Sequence, residues 1–166
     1  MMLRPPEIWL ISGIPGSGKT TVARALAERL DRSAHVEGDA LALQVAGGRV
    51  LPGEEPREES DRQVELSIRN QCLLARSYAE AEIVPVIDYV VPTDYRLDAY
   101  KNYLIGARLH FVVLAPPLEV TLARDAQRDK AQREKHGAQD WKHLDQEMRS
   151  TLAARGLWLD TATLTA

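Results

Sequence analysis

Apolar positions along this chain alternate between short dense runs and longer stretches with helical spacing. Ile8 to Ser12 is compact, apolar and closed by Gly13, the pattern of a buried strand. Lys19 to Leu30 follows with Val22, Leu26 and Leu30 on one face, which predicts an amphipathic helix. Ser33 to Gly38 reads as a shorter strand ending at Asp39. The stretch AGGRVLPGEEPREESD beyond it, rich in Gly, Pro and charge, reads as a loop. A long helix is predicted from Ser60 to Glu82, with Val64, Ile68, Cys72, Ala75 and Ala79 along one stripe. Ile83 to Ile87 is a third strand in which Pro85 marks an irregular position. Thr93 is suited to cap a helix bearing Leu97, Tyr100 and Leu104. Leu109 to Leu114 is the clearest strand of all, and Pro116 and Pro117 stop it and open another helix. Arg124 to Asp140 is almost continuously polar or charged. Trp141, Leu144, Met148 and Leu152 then restore a helical apolar face, and Gly156 to Asp160 reads as a short last strand. Strands alternating with helices imply a parallel sheet covered on both faces. The expectation is one α/β domain spanning residues 1–166.

Composition changes this picture little. The chain has 166 residues, 45% of them hydrophobic and 27% charged, as expected of a soluble globular domain. A net charge of -3 argues against a protein built to coat nucleic acid. No apolar run approaches the ~20 residues that span a bilayer. The start, MMLRPPEIW, lacks a signal-peptide pattern, and the single Cys72 excludes an internal disulfide framework. A cytoplasmic location is expected, with no membrane partner.

The chemistry enters at residue 13. Gly13-Ile14-Pro15-Gly16-Ser17-Gly18-Lys19-Thr20 fits G-x-x-x-x-G-K-[ST] at every fixed position, between a predicted strand and a predicted helix. Glycines let the backbone turn so that successive N–H groups point inward, forming an anion nest at the positive end of the helix dipole. Lys19 can reach the β- and γ-phosphates, and the Thr20 hydroxyl can ligate Mg²⁺. This resembles the P-loop nucleotide-binding fold, with Gly13 to Thr21 as the nucleotide-binding segment and ATP or GTP with Mg²⁺ as the expected ligands.

Three features favour a small kinase over a switch or a mechanical ATPase. The chain is short for an oligomerising ATPase, and KNYL does not supply an N-K-x-D-type guanine-reading motif. Asp39, at the end of the second strand, lies where strand carboxyl ends face the ligand crevice, so it can accept the proton of an attacking hydroxyl. The competing reading makes Asp39 a helix N-cap. Arg124 and Arg128 stand one helical turn apart and can close over the phosphates to offset transition-state charge, with a solvated charged helix as the alternative. Arg133 is a weaker candidate, and the break at Gly137 suits either a lid hinge or a helix end. Asp88, after IVPVI, is positioned like the carboxylate that organises the magnesium shell, with strand-end capping as its structural alternative.

Walker A, VEGDAL, VIDYVV, the Arg-x-x-x-Arg segment and the late WLDTATLT occur in an order that resembles the small P-loop phosphotransferases of the nucleoside-monophosphate-kinase-like fold. The chain is most similar to chloramphenicol phosphotransferase-like proteins and AAA-type small kinases; gluconate, shikimate and adenylylsulfate kinases are more distant. The resemblance implies a three-layer fold with a five-stranded parallel sheet in the order 2-3-1-4-5 and a helical lid over residues 124–140. It assigns Asp39 as general base, Lys19 and Thr20 as phosphate and metal ligands, and Arg124 and Arg128 as lid arginines. It also brings the DTATLT segment from Asp160 near the adenine. The acceptor-side residues of the antibiotic kinase do not recur between Leu41 and Glu59, which argues against chloramphenicol as substrate.

The expected activity is therefore transfer of the ATP γ-phosphate to a hydroxyl of a small molecule. A nucleoside, nucleotide or polynucleotide 5′-hydroxyl kinase is one alternative, and a nucleotide-binding regulatory module without transferase activity is another. Arg62, Arg69 and Arg76 recur every seventh residue and read as a water-facing stripe, with binding of an anionic acceptor as the alternative. Cys72 reads as a small core residue, the three tryptophans as packing groups with one near the nucleotide as an alternative, and Glu54 to Asp61 as a solvated loop with part of an acceptor lid as its alternative.

Overall fold

In β1 (Glu7–Ser12) Ile8 and Leu10 face one side of the sheet, Trp9 and Ile11 face the other, and all four find apolar partners. A strand buried on both faces belongs in the middle of a layered α/β structure. The computed structural model describes residues 5–127 and 140–163. The remaining strands are β2 (Ser33–Glu37), β3 (Val84–Asp88), β4 (Arg108–Leu114) and β5 (Leu157–Leu159). The helices among the described residues are α1 (Lys19–Arg29), α2 (Gly38–Ala42), α3 (Arg57–Glu80), α4 (Asp94–Tyr103), α5 (Leu118–Ala126) and α6 (Trp141–Thr151).

The five strands form one sheet in the order β2-β3-β1-β4-β5, parallel throughout, as the resemblance implied. On one face Ala23 and Ala27 of α1 pack against Ile11, Val86, Val112 and Leu114. On the other, α3 (Ile68, Cys72, Ala75), α4 (Leu97, Tyr100) and α6 (Leu144, Met148) cover Ile8, Leu10, Ile87 and Val113. This is the expected three-layer arrangement. The chain leaves β1 toward one edge of the sheet and leaves β4 toward the other, which opens a crevice at the carboxyl ends of the strands.

Two local expectations change. Pro85 lies inside β3, which is flanked by β2 and β1. Val84 donates its N–H to Arg32 O on the β2 side, so alternation turns the missing N–H of Pro85 toward β1, whose pairing with β3 begins only at Trp9 and Val86. Pro85 thus sits at the end of the β1–β3 ladder, where it interrupts no bond between Val86 and Asp88. The long helix begins at Arg57, earlier than its apolar stripe suggests, because Glu58 and Glu59 complement the dipole of the first turn. The loop before it is tied down. Ser60 Oγ donates to Leu51 O at 2.9 Å and accepts from Gly53 N at 3.1 Å, and Gln63 accepts from Val50 N at 2.9 Å and donates to Gly48 O at 2.8 Å.

The arginine stripe also divides. Arg62 pairs with Glu59 at the surface, whereas Arg76 donates to Tyr103 O at 2.7 Å and Ile105 O at 2.9 Å and closes the C-terminal end of α4. Cys72 is a core residue, 1% exposed, and burial pushes its thiol up to about 12. Iodoacetamide labelling at pH 8 is expected to run roughly 10³-fold slower in the folded protein than in urea. Equal rates in the two states would remove Cys72 from the core.

Candidate active site

The loop after β1 turns sharply enough to leave no room for side chains at its centre. Gly16 has φ +88°, and a Cβ there would lie 2.4 Å from Thr121 O, so the loop seats directly against α5. Ser17 N–H donates to Ile14 O at 3.0 Å and fixes the turn. α1 starts at Lys19 with Gly18 as N-cap, no side-chain cap and no acid in its first turn. The amides of that turn are therefore left for an anion. Lys19 is 3% exposed without a carboxylate partner among the described residues, and the buried Ser17 Oγ has no hydrogen-bond partner. A buried cation is costly unless an anion meets it. These groups fit a phosphate chain. Gly13, Ile14 and Pro15 complete the buried loop, and Thr21 is exposed on the first turn of α1.

The two residues expected to serve the metal meet. Thr20 donates its hydroxyl to Asp88 Oδ1 at 3.1 Å, and Asp88 is fully buried at the end of β3. Its second oxygen contacts His35 Nε2 of β2 at 2.5 Å. Sequence reasoning missed His35 as a site residue, because only the adjacency of β2 and β3 brings it to Asp88.

Asp39 lies in the first turn of α2, whose N-cap is Glu37, so the capping reading of Asp39 does not hold. Its side chain lines a cavity of about 410 Å³ that begins at Pro15 of the phosphate loop. Tyr89 forms part of the same wall. Its phenol is held well above its usual pKa, first by burial and then by the negative charge of Asp39, and so stays protonated. Behind this wall Tyr100 Oη donates to Gln71 Oε1, and Gln71 Nε2 donates to Ser67 Oγ at 3.0 Å. Gly38 is forced by the same packing, since a Cβ there would stand 2.5 Å from Tyr89 Cδ2 and 2.8 Å from Gln71 Nε2. Nothing in the apolar stripe of α3 advertised this polar support. Of the stretch Glu54 to Asp61, Arg57, Ser60 and Asp61 line the cavity from α3, and Leu51, Pro52 and Gly53 of the loop before it join them.

The lid residues divide. Arg124 Nη2 donates to Thr161 O at 3.1 Å and Ala162 O at 3.2 Å, and Thr161 Oγ1 donates to Ser17 O at 3.4 Å. Arg124 thus draws the segment after β5 against the phosphate loop. Arg128, Arg133 and Gly137, with most of the expected lid, lie outside the described residues. Trp141 is more than a packing group, since it lines the cavity and donates Nε1–H to Asp125 Oδ2 at 3.2 Å. No helix among the described residues is long and apolar enough to cross a membrane.

Residues 8–152 match the AAA_33 family, an AAA domain. The chain belongs to this AAA domain family. No functionally curated protein matches it by sequence. Among solved structures, the family member described here is similar to a tunicamycin resistance protein of Deinococcus radiodurans, with 24% identity over 98% of this chain and 89% of that one and a TM-score of 0.62. It is similar to a sugar kinase from Janibacter, with 18% identity over 91% and 96% of the two chains and a TM-score of 0.57. It is also similar to the APS kinase of Mycobacterium tuberculosis, solved with AMPPNP and APS, with 20% identity over 75% and 71% and a TM-score of 0.59. At such identities the likeness concerns the fold, which is that of the small P-loop kinases.

Proposed function

We propose that this AAA domain is an ATP-dependent phosphotransferase that phosphorylates a hydroxyl of a small molecule. The observation that carries the reading is the position of Asp39 in a cavity that starts at the phosphate loop, where a second reactant can meet the end of a triphosphate. A nucleotide switch needs no such chamber.

In this reading the unengaged backbone N–H groups of the Gly13–Thr21 segment and the Lys19 ammonium grip the triphosphate of ATP. The acceptor oxygen attacks the γ-phosphorus, its proton passes to Asp39, the bond to the β–γ bridging oxygen breaks, and ADP leaves. Lys19 offsets the charge on the moving phosphoryl group and Arg128 joins it from the lid. Arg124 contributes there with its remaining donors while it holds Thr161 and Ala162 beside the adenine. Thr20 and Asp88 are hard oxygen donors of the kind Mg²⁺ takes, and the ion would supply charge neutralisation at the phosphate oxygens.

The test is transfer from γ-labelled ATP across a panel of hydroxylated metabolites. ADP formation that depends on an acceptor is expected. Tight Mg-ATP binding with no acceptor-stimulated turnover would favour the regulatory alternative.

His35 is assigned the orientation of Asp88. His35→Ala is expected to weaken the Mg²⁺ dependence of ATP binding by about 10-fold or more, with ATP affinity in EDTA unchanged. Equal titrations of variant and parent by calorimetry would remove His35 from the site.

A further inference from the structure

The cavity also carries information about its occupant, on the reading that it is the acceptor site. α6 contributes Trp141, His143, Leu144 and Glu147 to it. Glu147 is half-buried there, and among the described residues no ion pair or hydrogen bond engages its carboxylate. A half-buried carboxylate without a partner is a binding group for a cation or a donor that arrives with the ligand.

The charge of the described wall has the same sense. Four carboxylates, Asp39, Asp61, Asp140 and Glu147, share that wall with two guanidiniums, Arg57 and Arg96, and the imidazole of His143. Both guanidiniums are already matched. Arg96, 13% exposed, donates to Asp61 at 2.9 Å and to Glu65 at 3.1 Å, and Arg57 pairs with Glu55 at 3.0 Å. A phosphate, sulfate or carboxylate on the acceptor would find no unmatched guanidinium or ammonium among the described residues of this wall. Apolar surface from Leu43, Leu51, Val64 and Val90, with the Trp141 indole, suits the face of one ring. A volume of about 410 Å³ is at the small end for ligand sites and enough for one ring with substituents.

We propose that the acceptor is a compact, ring-sized amino alcohol without anionic groups, and that Glu147 is a specificity-determining residue that receives its ammonium. The hydroxyl near Asp39 is phosphorylated while Glu147 holds the amine, so the two carboxylates act on different groups of one molecule.

The experiment measures kcat/KM for phosphoryl transfer across neutral, amine-bearing and phosphorylated members of matched sugar and cyclitol series. Amine-bearing acceptors are expected to exceed their neutral counterparts by about 10-fold, through KM, and phosphorylated ones to be the poorest. Glu147→Gln should erase the amine preference and leave neutral acceptors within about twofold, and Glu147→Asp should restore part of it. A phosphorylated compound as best acceptor overturns this inference while the phosphotransferase reading stands. So does a Glu147→Gln variant that slows neutral and amine-bearing acceptors equally. Failure of every class to stimulate ADP formation, with Mg-ATP binding intact, overturns both.

Discussion

Asp39→Asn is expected to lower phosphoryl transfer by about 10²–10⁴-fold while Mg-ATP affinity stays within about twofold. The change is isosteric and lies in the first turn of α2, whose N-cap is Glu37, so no capping bond is lost with the charge. What disappears is a basic oxygen in the wall of the cavity that begins at Pro15. The substitution has a second readout. The charge of Asp39 helps to hold the Tyr89 phenol above its usual pKa, so the phenol should titrate at lower pH in Asp39→Asn, although burial, the larger cause, still keeps it raised. Ultraviolet titration follows this without any substrate. Full turnover in the variant would exclude proton transfer to Asp39. An unmoved tyrosine titration would show that the carboxylate is not beside Tyr89.

The second large effect is expected at Lys19. Lys19→Met should reduce kcat by about 10²–10³-fold, the usual consequence of removing one preorganised charge from a phosphoryl-transfer site. Mg-ATP affinity should fall about 10-fold or more, since the P-loop lysine acts on the β- and γ-phosphates in the ground state as well. Its effect on stability has the opposite sign. Lys19 is 3% exposed with no carboxylate partner among the described residues, and an unpaired buried cation destabilises a fold. The nucleotide-free variant should therefore melt no lower than the parent, and higher if the methionine packs well. The parent should gain about 2.7 kcal/mol at a ligand concentration of 100 Kd, and at the same concentration the variant should lose about half of that gain or more. Scanning calorimetry with and without Mg-ATP separates the two. A variant that melts lower without nucleotide and keeps the nucleotide-induced rise would mean that Lys19 is a structural residue and not a phosphate ligand.

These expectations rest on an arrangement only partly readable from residue order. Local signals were decisive where the physics is local. The apolar run of β1, the glycines after it, and the Lys19-Thr20 pair opening α1 lie within fourteen residues of one another, so their geometry follows from backbone sterics and a helix terminus. The Thr93 cap is the same kind of signal, and its side chain does accept from Arg96 N–H. The apolar stripe of α3 likewise announced Ile68, Cys72 and Ala75 as core. Boundaries slipped where two local preferences competed, as at Arg57, where charge read as loop served instead as a dipole-compensating first turn.

Residue order by itself determined a strand–loop–helix that fits phosphate, an α/β layering, and acidic residues at the ends of strands. Tertiary structure alone decided which acid does what. Setting β3 between β2 and β1 brings His35 and Thr20 onto the two oxygens of Asp88, across sequence separations of 53 and 68 residues. Folding the loop before α3 back onto Ser60 and Gln63, and laying α6 opposite that loop, built a chamber whose charged residues come from four separate stretches of chain. Such neighbours are chosen by packing and strand order, which depend on the whole core and leave no periodic trace in the residues that end up together.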